Sequence, residues 1–124
     1  MKKFLSVLLM FCMSSLWAST YLMPTSGTPI EYLLPPGEPL VVANQFYWTI
    51  NAKCVVSSVA EENTLAVSFL RKTGTVNGQT LTEGDELNFI LMNNEVLNIM
   101  APPGSKVQLI NLGSEEVRAS CNAV

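Results

Sequence analysis

The chain has 124 residues, of which 48% are hydrophobic and 14% charged, and its formal net charge is −3. Such a composition excludes a disordered polyelectrolyte and fits one folded domain around one core. Histidine is missing altogether, which removes Ser-His-Asp and Cys-His catalysis together with the commonest metal ligand.

The chain opens Met1-Lys2-Lys3, continues with an apolar run of 14 residues from Phe4 to Trp17, and reaches a small pair at Ala18-Ser19. A charged start, an apolar stretch too short for a membrane span and a small residue at the cut predict a secretory signal peptide over residues 1–18, cleaved after Ala18. Export is therefore expected, to the periplasm or the extracellular medium, and not as an integral membrane protein. No Asn-x-Ser/Thr acceptor occurs, which leans towards a bacterial source. Removal of the leader would leave 5 cations and 10 acids, a charge of 5 − 10 = −5. The remaining cations Lys53, Arg71, Lys72, Lys106 and Arg118 are scattered along the chain apart from one adjacent pair. Nucleic acid and anionic lipid, which need clustered Lys and Arg, are not expected as partners.

Residues 19–28 read as a flexible leader and 29–124 as the folded domain. Period-2 alternation interrupted by Gly, Pro and Asn recurs through the latter, so the chain is all-β. The expected fold is a single antiparallel β-sandwich of about seven to nine short strands. Ig-like and jelly-roll-like arrangements both fit, and a small barrel is the alternative. Pro29 to Leu34 and Leu40 to Ala43 are predicted edge strands around the stop Pro35-Pro36-Gly37-Glu38-Pro39.

A strand is predicted from Phe46 to Ser58, with Phe46, Trp48, Ile50, Ala52, Cys54 and Val56 on the core face and Tyr47 facing out. Further strands are expected over Thr64 to Arg71, Thr75-Val76, Gln79 to Leu81, Glu86 to Met92, Val96 to Ala101 and Lys106 to Leu112. Asn77-Gly78 predicts a two-residue type I′ hairpin. A three-residue loop at Asn93-Asn94-Glu95 would pair Leu91 with Leu97, Phe89 with Ile99 and Leu87 with Ala101. The last strand, Val117 to Ala123, turns Cys121 inward. With Cys12 leaving in the leader, Cys54 and Cys121 are expected to form a disulfide.

Carboxylates cluster at Glu61-Glu62, at Glu83, Asp85 and Glu86, and at Glu115-Glu116, all in turns where acids are normally solvated. No catalytic residue, metal site or cofactor is expected from them. If the Asn93 hairpin forms as above, Ile90, Met92, Val96 and Met100 share the face opposite the core, where an apolar patch either marks a binding surface or is covered by the leader, especially Tyr21-Leu22-Met23, or by an edge strand. Tyr47, the outward ring of the aromatic trio, joins these as a candidate contact residue. The reading that follows is an exported, non-catalytic β-sandwich that binds a protein or a cell-envelope component. A secreted hydrolase inhibitor or carbohydrate-binding module is the alternative, and a homodimer through an unpaired edge strand is also compatible.

Overall fold

The computed structural model describes residues 20–24 and 27–123, so the expected signal peptide lies outside the described residues. Among the described residues there are eleven strands: β1 (Thr20–Leu22), β2 (Ile30–Leu34), β3 (Pro39–Ala43), β4 (Ile50–Ser57), β5 (Glu62–Arg71), β6 (Gly74–Val76), β7 (Gln79–Leu81), β8 (Glu86–Met92), β9 (Val96–Ala101), β10 (Lys106–Asn111) and β11 (Val117–Ala123). They form two sheets, one in the order β1-β3-β10-β5-β8 and the other β2-β11-β4-β9-β6-β7. Pairing is antiparallel throughout except between β1 and β3.

Eight of these strands make a jelly roll. The consecutive pairs β2/β3, β4/β5, β8/β9 and β10/β11 each divide between the two sheets, which gives β2-β11-β4-β9 facing β3-β10-β5-β8. Both sheets keep free edges, so the molecule is a sandwich and not a barrel. The strands beyond the expected number are short additions. β1 extends one sheet, and the β6–β7 hairpin extends the other beyond β9. That hairpin turns through Asn77 (φ 48°) and Gly78 (φ 80°), the two positive values a type I′ turn requires.

The core follows the alternation. Ile50, Ala52, Cys54 and Val56 of β4 are buried against Leu65, Val67 and Phe69 of β5, with Leu97, Ile99, Val107 and Leu109 around them. Cys54 and Cys121 face each other across the β4–β11 ladder and are joined by a disulfide, at a sequence separation of 67. The bridge therefore ties two neighbouring strands of one sheet. The core holds a void of about 20 Å³, the size of one water molecule, lined by apolar side chains that include Met23, Leu34 and Leu65.

Two expectations are corrected. The strand predicted from Phe46 begins only at Ile50. Asn44 is the reason: its side chain accepts the Phe46 N–H and donates to the carbonyls of Trp48 and Ala101, so the groups a strand would pair are already engaged. Residues 45–49 form a corner between sheets, Phe46 is half-buried, and Trp48 is exposed rather than in the core.

The second correction concerns β8 and β9, which do not pair. β8 pairs with β5 in one sheet and β9 with β4 in the other. Asn94, at φ 70°, carries the chain across the sandwich, and its N–H donates to the Val56 carbonyl. Leu87, Phe89 and Leu91, and likewise Leu97, Ile99 and Ala101, point inward in either arrangement. Parity alone therefore could not separate a hairpin from a sheet crossing.

Part of the segment expected as a leader is also built into the structure. Thr20–Leu22 lies alongside β3, Met23 is buried, and the Tyr32 hydroxyl donates to the Leu22 carbonyl at 2.7 Å. Burial pushes the Tyr32 phenol up to about 12.

Candidate functional site

Each sheet ends in strands with one unpaired side. β1 and β7 span three residues each, and the five residues of β2 are followed at once by Pro35. β8 differs, with seven residues, no proline, and no charge between Glu86 and Glu95. Natural sandwiches usually protect an edge with short strands, lysine or proline, and β8 carries none of these.

The direction of its free backbone groups follows from its last residue. Met92 donates its N–H to the Glu95 carboxylate and accepts from the Glu95 N–H, so Met92 faces away from β5. In an antiparallel strand the alternate residues share that direction. The N–H and C=O groups of Glu86, Asn88 and Ile90 therefore lie along the open edge, whereas Leu87, Phe89 and Leu91 turn theirs towards β5. Side chains alternate in step. Ile90 is 64% exposed and Met92 46%, while Leu87 and Phe89 face the core yet are only half-buried, at the open rim of the sandwich.

The five residues expected as a contact surface are all exposed but do not form one face. Ile90 and Met92 stand on the outer face of β8, whereas Val96 and Met100 stand on the outer face of β9 in the opposite sheet. The hairpin register that had joined them is the one the sheet crossing replaces. Tyr47 lies apart from both pairs, on the corner loop, and is 95% exposed. The segment Tyr21-Leu22-Met23 lies at the β1 edge, the far side of the sheet from β8.

The acidic turns are engaged locally. Thr82 donates both its hydroxyl and its N–H to Asp85, and these bonds, the hydroxyl's foremost, hold the Asp85 carboxyl below its ordinary range. Glu83 accepts the Lys72 N–H at 3.0 Å. No group of three or more Cys, Asp or Glu residues stands close enough to hold a metal among the described residues. No helix among them is long and apolar enough to cross a membrane.

Ile90 and Met92 face outward as the alternation predicts, whereas Leu87 and Phe89, which strand parity assigns to a closed core, are half-buried at the open rim. The uncharged run from Leu87 to Asn94 was the available signal, since such a segment readily pairs with another strand.

No protein-family model matches the chain. No curated protein matches it either. Among solved structures, it is similar to the pre-peptidase C-terminal domain of a collagenase from Bacillus anthracis. The TM-score is 0.41 and the identity 14%, over 86% of this chain and 97% of that one.

Proposed function

We propose that this is an exported, non-catalytic binding protein that takes an extended segment of a partner protein onto the open edge of β8. The observation that carries the reading is that seven-residue edge, with the backbone groups of Glu86, Asn88 and Ile90 unpaired by other strands among the described residues. An added strand would find a hydrogen-bond ladder, would cover Leu87 and Phe89 from the side, and would place alternate residues beside Ile90 and Met92. Export is supported by the N-terminal pattern and by the Cys54–Cys121 bridge, which persists best in an oxidising compartment.

Amide hydrogen exchange provides the test. A seven-residue peptide of alternating valine and threonine, added to the full protein, should slow exchange at Asn88 and Ile90 and leave Leu87 and Phe89 unchanged. The same peptide with N-methylated backbone should have no effect. Ile90→Pro removes an edge donor without touching the β5 ladder and should abolish the response. Unchanged exchange at Asn88 and Ile90, or protection confined to the β2 edge, would overturn the reading. Protection that appears with protein concentration alone would replace the partner by a second copy of this chain.

A further inference from the structure

Three of the five cations beyond residue 19 converge at one corner, which their scatter in the sequence conceals. Lys106 stands directly opposite Arg71 across the β5–β10 ladder. Like charges so placed repel and do nothing for the fold. Their meeting depends on a β-bulge. Val107 pairs with Phe69 and Lys106 with Arg71, so Leu70 is an extra residue in β5. Regular alternation from buried Phe69 would turn Arg71 inward. The bulge instead leaves Leu70 and Arg71 both exposed and brings Arg71 to the face that carries Lys106. Lys72 adds a third charge, for its side chain lies against Gly104, where a Cβ would come within 3.9 Å of Nζ.

Arg71 and Lys106 line an open cleft of about 390 Å³ together with Ala43, Gln45, Tyr47 and Ser105. Tyr47 is presented on a braced loop. Asn44 pins both ends of it, and the flanking rings of Phe46 and Trp48 stack at 4.8 Å between centroids. Among the described residues no carboxylate forms an ion pair with Arg71, Lys72 or Lys106, and the side-chain ion pair found there joins Arg118 and Glu31 at 3.7 Å. Glu83, the acid in contact with this corner, is bonded to the Lys72 backbone N–H.

The geometry points to a second binding site, for an acidic saccharide, with its carboxylate between Arg71 and Lys106 and a sugar ring against Tyr47. Guanidinium and ammonium groups lacking a protein counter-ion favour a carboxylate, and an exposed flat ring beside them offers a stacking surface. An acidic peptide fits less well. β3 and β10, which carry Ala43 and Lys106, are paired on both sides at this corner, so neither offers a free backbone ladder to an extended chain. The site is independent of the β8 edge, and either can fail without the other.

Calorimetric titration of the full protein with trigalacturonate, and with neutral galactotriose as comparison, tests this. Trigalacturonate should bind, galactotriose should bind at least about tenfold more weakly, and raising the salt should weaken the acidic ligand alone. Arg71→Gln and Lys106→Gln should each lower trigalacturonate affinity about tenfold. Tyr47→Ala should weaken it as well, whereas Lys53→Gln on the other sheet should not. All four side chains are exposed or half-buried, and thermal melting will confirm that each variant folds. Equal binding of the neutral sugar, indifference to Arg71→Gln, or equally tight binding of hexaglutamate would overturn the proposal.

Discussion

Asn44 and Asn111 occupy equivalent corners of the sandwich. Each is the buried residue at which the chain leaves the β3-β10 sheet for the other one, and each bonds in the same pattern. The side chain accepts from the N–H two residues on (Phe46, Gly113) and donates to the carbonyl four residues on (Trp48, Glu115). It donates again to the last residue of a strand in the opposite sheet (Ala101, Leu34). One amide thus closes the local turn and clamps the two sheets together. No aliphatic side chain can replace it.

Asn44→Ala and Asn111→Ala should therefore each destabilise the fold by about 2–3 kcal/mol, since buried backbone groups lose their partners. Asn122→Ala, at an exposed position of β11, should change stability by less than about 0.5 kcal/mol. Urea denaturation of the three variants provides the comparison. Asn44→Ala should also release the corner loop and raise amide exchange at Phe46, which Asn111→Ala should not.

Replacing both Cys54 and Cys121 by alanine should cost roughly 4 kcal/mol, the chain-entropy value for a loop of this length. The strands stay hydrogen-bonded without the bridge, so the variant should keep its far-ultraviolet dichroism while its denaturation midpoint falls. A midpoint unmoved by the double substitution or by reductant would mean that the ladder alone fixes these two strands.

Tyr32 makes stability depend on alkaline pH. Its phenol is raised above the ordinary 10 to about 12, so the folded protein holds this proton more tightly than the unfolded chain does. Stability from this group is complete below about pH 10 and is lost as pH rises towards about 12. Melting temperatures measured from pH 9 to 11.5 should fall less steeply for Tyr32→Phe than for the native chain. The same variant loses the bond to the Leu22 carbonyl, and exchange along β1 should rise at neutral pH.

Several features were legible from local patterns. The alternation in β4 and β11 placed Cys54 and Cys121 inward, and Asn77-Gly78 specified its own turn. Phe46 and Trp48 misled because the same alternation continues through them, while the residue that ends it, Asn44, acts through its side chain. The candidate surface was half legible. Exposure of Ile90, Met92, Val96 and Met100 followed from parity, but their distribution over two sheets did not.

The division has a physical cause. Side-chain direction in a regular strand repeats every two residues and is a property of the strand itself, so the sequence alone determined the all-β class, the inward cysteines and the outward direction of Ile90, Met92, Val96 and Met100. The strand that each strand pairs with depends on contacts distant along the chain. Only the tertiary structure decided that β8 lies at an edge and β9 in the facing sheet, and that a bulge at Leu70 sets Arg71 beside Lys106. Both sites proposed for this protein rest on that second kind of information.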